Sequence, residues 1–346
     1  MSDVTKNKRG SGRFPGSGKV NGRGHATIEG CGAGRGNGSR RGQRLPDGSS
    51  SNEIFAFGLS HVGFGEERQK CEVGLSMKRF RAHFGVSPKA IKALVALLKH
   101  YYPSDQVSLL VLCMAICWLK LYETEHVMAG RWDYGEKHCR EQVRLYVQQI
   151  GKLKPKLINF DNLSQKCKFA PVDNMHRMMW EFRCDPDSKW WSHKFNGPGV
   201  GYEVVTNPTD KGLMMWASGP YPAGTHDLTC FRGGKKGKKK EWKESSLYNS
   251  LPTGLRLVGD SGYAGQFDKV TTTMDAHSPA TKELFARLKS MQETLFKRFK
   301  DFKVIRDPFW HGKNLDDKML KAKESFDAVA VLIQLDIENG HPLFEP

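Results

Sequence analysis

The stretch L-R-L-V-G-D-S-G-Y at residues 255–263 decides how the chain is read. Leu255, Leu257 and the β-branched Val258 pattern a short strand, and Gly259 and Gly262 end it in a sharp turn. That turn leaves the Asp260 carboxylate at a strand end, where glycine lets the backbone and a ligand approach closely. Taken alone, the same turn reads equally well as a solvated loop. Its meaning depends on partners elsewhere in the chain.

Working outward, residues 169–172 form an apolar run that stops at Asp173, predicting a second acid on a strand. Residues 200–206 and 213–217 read as strands joined by N-P-T-D-K-G, an antiparallel hairpin. In G-P-Y-P-A-G-T-H-D-L-T-C-F-R, Thr225 is expected to cap a short helix carrying Asp227 and Leu228. Beyond Asp260, Ser278 and Pro279 give a cap and first turn, and Leu284, Leu288, Met291, Leu295 and Phe302 recur at helical spacing. On that wheel Glu293 lies opposite the apolar stripe, among Lys289, Lys297 and Lys300. A last helix over about 314–338 stops at Asn339 and Gly340. Asp275 is an alternative last acid, but T-T-T-M-D-A-H reads as loop.

Upstream, residues 76–152 are helical. Ser87 caps a helix with Pro88 at its first position, and an apolar run through Leu121 leads into Y-E-T-E-H-V-M-A-G, a turn at 131–135 and a basic helix. Helix, short turn and basic helix suit a helix-turn-helix module, with Lys137, Arg140 and Arg144 facing phosphates; a plain helical hairpin fits as well. Residues 1–52 are rich in Gly, Ser, Arg and Asn and have few apolar groups to offset ordering entropy, so a disordered basic arm is expected. The domains are therefore read as 1–52 arm, 53–165 helical region and 166–346 α/β domain. The lysine-rich run at 235–243 is a solvated loop, a DNA contact or an import signal.

Composition limits the partners. Lys and Arg total 54 against 37 Asp and Glu, a formal charge of +17, which draws polyanions by counterion release. The eight cysteines form no C-x-x-C pair and no zinc-ligand spacing, so a reducing compartment is expected. The apolar run at 109–119 is too short to cross a bilayer and the first residues carry no hydrophobic signal core, so no membrane role is expected. Phe64, Trp118, Trp190 and Trp191 are read as core rather than base-stacking platforms.

Three acids thus stand at Asp173, Asp260 and Glu293, the last two 33 positions apart. Hairpin-linked strands, a helix, a strand and a helix bearing the last acid are similar to the layout of a ribonuclease H-like domain, a mixed sheet with flanking helices. The segments P-V-D-N-M-H, S-K-W-W-S-H-K-F-N-G-P-G-V-G-Y-E-V, W-A-S-G-P-Y-P-A-G-T-H-D-L, V-G-D-S-G-Y-A-G and Q-E-T-L-F-K-R-F-K-D-F resemble the DDE-type transposases of the PIF/Harbinger group. T-E-H-V-M-A-G-R-W resembles that family's N-terminal DNA-binding region less specifically.

The resemblance implies a nuclear enzyme that cleaves phosphodiester bonds in double-stranded DNA, at transposon ends and targets. It also implies a Myb-like partner protein, and leaves a homo-oligomer open. Two Mg²⁺ or Mn²⁺ ions, roughly 4 Å apart, would neutralise the attacking and leaving oxygens. Asp173, Asp260 and Glu293 are the implied catalytic residues and metal ligands. His193, Lys194, Lys289, Lys297, Arg298 and Lys300 are candidates for phosphate contact. One position departs from the family: Asn174 stands where glycine usually follows the first acid. Asp227 is read as a supporting acid. A domesticated, non-catalytic DNA-binding protein is the alternative, and another ribonuclease H-like nuclease a third.

Overall fold

The computed structural model describes residues 48–344 except 70–71, 162, 164–166, 181–186, 210, 236–237 and 239–240. The expected basic arm lies outside these as far as residue 47, and the lysine-rich run lies partly outside them. The arm's last two residues instead open α1 (Ser51–His61), because Ser50 Oγ accepts the Glu53 N–H while the Glu53 carboxylate takes the Ser50 N–H.

The helices then follow as α2 (Glu66–Gln69), α3 (Val73–Phe84), α4 (Pro88–Tyr101), α5 (Leu109–Leu121), α6 (Glu125–Trp132), α7 (Glu136–Lys152) and α8 (Lys154–Leu157). Ser87 and Ser108 cap α4 and α5 through their side chains. In α5 every residue from Leu110 to Leu119 is buried, so this helix is interior on all sides rather than amphipathic. No described helix is long and apolar enough to cross a membrane. Cys113, Cys117, Cys139, Cys167 and Cys230 are buried free thiols; Cys31, Cys71 and Cys184 fall outside the described residues.

The sheet is mixed. Its strands are β1 (Phe169–Met178), β2 (Trp191–Ser192), β3 (Gly197–Thr206), β4 (Met214–Pro222), β5 (Arg256–Gly259) and β6 (Val270–Thr272). β1 is central: it runs antiparallel to β3 from Val172 to Met178 and parallel to β5 only from Phe169 to Pro171. β4 and the short β2 pair antiparallel with β3, and β6 lies parallel to β5. Asp173 therefore lies on β1, inside the strand. Both ladders hold β1 in sequence, so the strand outlasts its own apolar run.

Helices cover both faces. The first face buries Val172, Val205 and Leu257 against Leu228 and Phe231 of α9 (Asp227–Arg232) and Leu247 and Tyr248 of α10 (Leu247–Ser250). The second buries Met175, Tyr202 and Val204 against α11 (Pro279–Lys300), α12 (Lys303–Arg306) and α13 (Leu315–Glu338). Burying each such aliphatic side chain contributes about 1.5–3 kcal/mol. This second core continues without a break into α1 and α3–α7, so the helical region and the sheet share one interior. Close approach is secured at Gly85, whose φ of 75° ends α3 and where a Cβ would meet the Phe302 ring at 2.6 Å.

A fully buried arginine joins strand to helices. Arg177 of β1 donates through Nη1 to Ala322 O (3.1 Å) and Ser325 Oγ (3.0 Å), and through Nη2 to Val304 O. Its guanidinium lies 4.1 Å from the centre of the Phe309 ring. Among the described residues these partners include no carboxylate, and burial lowers its tendency to hold a proton. Replacing Arg177 by Ala leaves a large cavity and takes the Arg177 donor from Val304 O, and is expected to cost about 3–5 kcal/mol of unfolding free energy in urea denaturation. An unchanged midpoint would rule out this role.

Candidate active site

The register of β1 and β5 builds the site. Pairing of Pro171 with Val258 carries on to set Asp173 beside Asp260, just past the end of β5. Beyond that point β1 continues without its β5 neighbour, so both acids stand near the carboxyl end of a parallel strand, a usual place for ligands. Asp260 Oδ1 accepts the Gly262 N–H at 2.8 Å and so caps its own turn.

Asp227 faces the same turn. It opens α9, whose cap is His226 and not Thr225: the His226 Nδ1 accepts the Leu228 N–H. A Cβ added at Gly262 would lie 2.2 Å from Asp227 Oδ2 and 2.9 Å from Asp260 Oδ1, so glycine is required and the two carboxylates crowd one small space. Asp173 belongs to this group electrostatically. Burial pushes its carboxyl up to about 6, with Asp260 and Asp227 raising it further against Lys194 and the Asn174 N–H. The acid read as supporting thus stands as close to the centre as those read as catalytic. No spacing signal in the sequence singles it out, although T-H-D-L lay within a quoted motif.

Lys194 is the one cation of the expected set at this centre. Its Nζ donates to Asn174 O at 2.8 Å and lies 3.9 Å from Asp173 Oδ1. Glu293 is placed differently: it is exposed on α11, as its wheel position predicts, while its neighbour Gln292 is buried and clamped to β3 through Thr206 Oγ1 (2.6 Å) and Val204 O (3.1 Å). Asp227 and Asp260 thus share the space at Gly262 and both act on Asp173, while Glu293 is exposed one position from the residue that clamps α11 to β3. The donor chemistry fits a hard divalent cation: three carboxylates whose mutual repulsion a cation would relieve. Among the described residues no three such side chains are yet drawn to ligating distance.

The remaining candidates are scattered. Lys289, Lys297 and Lys300 are exposed on α11 and His193 is exposed beside Lys194. Arg298 gives both guanidinium Nη groups to His341 O and Pro342 O, each at 2.6 Å, so it tethers the last residues of the chain. On α7, Lys137 is exposed, Arg140 pairs with Glu125 at 2.8 Å and Arg144 lies 3.7 Å from Asp317. Asp275 closes a capping box on Thr272 and does not approach the acids above. Trp118 and Trp190 are buried and Phe64 is half-buried, as expected, but Trp191 is 45% exposed, because Ser192 and not Trp191 takes the inward place on β2 and binds His176 Nδ1 at 2.7 Å.

Across the ladder from Asn174 lies an acid not picked out from sequence, Glu203 of β3, with 0% exposure. Burial pushes it up to about 8, aided by Asp227; the Trp216 indole and Tyr263 phenol face it, yet none closes a hydrogen bond of ordinary geometry. Its folded value is above its unfolded one, so the proton it carries stabilises the fold at low pH and that stability is lost as pH rises through 8. Between about pH 5 and 8 this group makes wild-type stability fall by about 1.4 kcal/mol per pH unit. Glu203→Gln, followed by urea denaturation across that range, is expected to remove this slope; an identical slope in the variant contradicts the assignment.

In comparisons with known proteins, no family model matches the chain, nor does any curated protein or solved structure.

Proposed function

We propose that this protein is a metal-dependent DNA endonuclease of the DDE transposase type. The observation that carries the reading is the approach of Asp227 and Asp260 about Gly262 just past β5, with both close enough to raise the Asp173 carboxyl. The sheet supports it: antiparallel β1, β3 and β4, then α9 and α10, then β5 parallel to β1, then α11, follow the ribonuclease H-like layout. So does the basic surface, with a net charge of +17 over the whole chain. Duplex DNA is the proposed substrate. A nuclear location, a Myb-like partner and a homo-oligomer belong to the same proposal.

When bound, Mg²⁺ or Mn²⁺ supplies charge neutralisation at the attacking and leaving oxygens and a lowered pKa for water. Asp173, Asp227 and Asp260 would hold the ions. Lys194, exposed at its tip, swings from Asn174 O to a phosphate oxygen, where its ammonium offsets the charge gained in the transition state. Lys289 and Lys297 on α11 and Lys137 on α7 steer and position the duplex without reading sequence. The alternative is a transposase-derived protein that binds DNA without cutting it.

The two readings separate in one assay. A labelled duplex carrying a transposon end is incubated with Mg²⁺ or Mn²⁺, and cleavage is measured beside binding. Wild type is expected to nick it. Asp260→Ala and Asp227→Ala each lower the rate at least about a thousandfold, equivalent to about 4 kcal/mol, with DNA affinity retained. Binding without nicking by wild type selects the alternative, and full activity in Asp227→Ala removes that residue from the centre.

A further inference from the structure

Asn174, the residue that departs from the family pattern, bonds to Asp173, Asp227 and Lys194. It is 2% exposed and pairs with Glu203 across the β1–β3 ladder. Its backbone N–H donates to Asp173 Oδ1 at 2.6 Å. Its side-chain Nδ2 donates to Asp227 Oδ1 at 2.8 Å, across 53 positions of sequence. Its carbonyl accepts Lys194 Nζ at 2.8 Å.

The direction of the second bond matters most. With Oδ1 held by Asn174, Asp227 turns Oδ2 toward Gly262, the space that Asp260 Oδ1 also borders. A neutral amide suits this task, since it fixes a carboxylate without cancelling the charge a cation needs. A lysine in the same place would compete with the metal, and glycine would leave Asp227 free to rotate. The amide's own Oδ1 is buried and meets no ordinary donor; the Cys230 thiol beside it is a weak one. The opposite amide orientation would set Oδ1 against the Asp227 carboxylate, so Nδ2 toward the acid is the orientation that the surroundings require.

From this geometry we infer that Asn174 is a positioning residue for the metal centre: it orients Asp227 by its side chain and anchors Lys194 by its carbonyl, so that the substitution of the family's glycine preserves the site. This rests on the endonuclease reading above. Asn174 does not touch the reacting atoms; it acts through Asp227.

The test is calorimetric titration of the full chain with Mn²⁺ alone, for wild type, Asn174→Ala, Asp227→Ala and the double variant, with thermal unfolding in parallel. Asn174→Ala is expected to weaken Mn²⁺ binding about tenfold, the usual loss for a hydrogen bond to a charged group. In the Asp227→Ala background the same change is expected to do nothing further. A lowered melting temperature with unchanged Mn²⁺ affinity would mean that Asn174 is only structural, and equal losses in both backgrounds would also overturn the inference. Wild type that binds no Mn²⁺ sinks the endonuclease reading and this inference with it. Wild-type binding that depends on Asp227 and not on Asn174 sinks the inference alone. If Asn174→Ala fails to fold, Asn174→Ser, one atom shorter than the reach to Asp227, carries the same comparison.

Discussion

A positive charge buried without a carboxylate sets the position of everything else. Arg177 sits in the interior between β1 and the α12–α13 layer, and its charge is tolerated because carbonyls, a hydroxyl and an aromatic face surround it. Nothing there can move far without stranding a polar group. One end of β1 is thereby fixed against the helices, while the other is fixed by its short parallel ladder with β5. Asp173 and Asn174 lie between these two anchors, on opposite faces of the same strand. A site that must hold its geometry to fractions of an ångström is thus carried by the most constrained strand of the sheet.

The second constraint is electrostatic. Asp227 and Asp260 stand close enough to raise the Asp173 carboxyl, and the buried acid Glu203 pairs with Asn174 next to Asp173, an arrangement that is unfavourable unless each charge is answered. Glu203 is answered by staying neutral through most of the physiological range. Asp173 is answered by Lys194 and by its own neighbour's N–H. Asp227 and Asp260 receive single neutral donors, from Asn174 and Gly262. These donors orient the carboxylates. Carboxylates held in this way are the donor type that the proposed divalent ion would need.

Much of this was legible in the sequence, and the parts that were not share a cause. Caps and turns are local, so Ser87, Ser278 and Asn314 mark helix starts correctly, and N-P-T-D-K-G marks the β3–β4 hairpin. The exposure of Glu293 follows from helical period alone. What depends on register or tertiary approach was out of reach. The extension of β1 past Asp173 comes from ladders with β3, not from its own polar sequence D-N-M-H-R-M. The nearness of Asp227 to Asp260 depends on how α9 lies against the turn after β5. His226 in place of Thr225 as a cap, Trp191 turned outward and Arg298 spent on the chain's last carbonyls are all choices made by neighbours distant in sequence.

The central claim is that Asp173, Asp227 and Asp260 hold a divalent ion together. Affinity cleavage tests it most directly: Fe²⁺ is bound to the protein, ascorbate and peroxide generate hydroxyl radicals at the ion, and the cut peptides are mapped by mass spectrometry. The account predicts cuts close to residues 173, 227 and 260, suppressed by excess Mg²⁺ and lost in Asp260→Ala. Cuts at other positions, or cuts indifferent to Asp260→Ala, would contradict it.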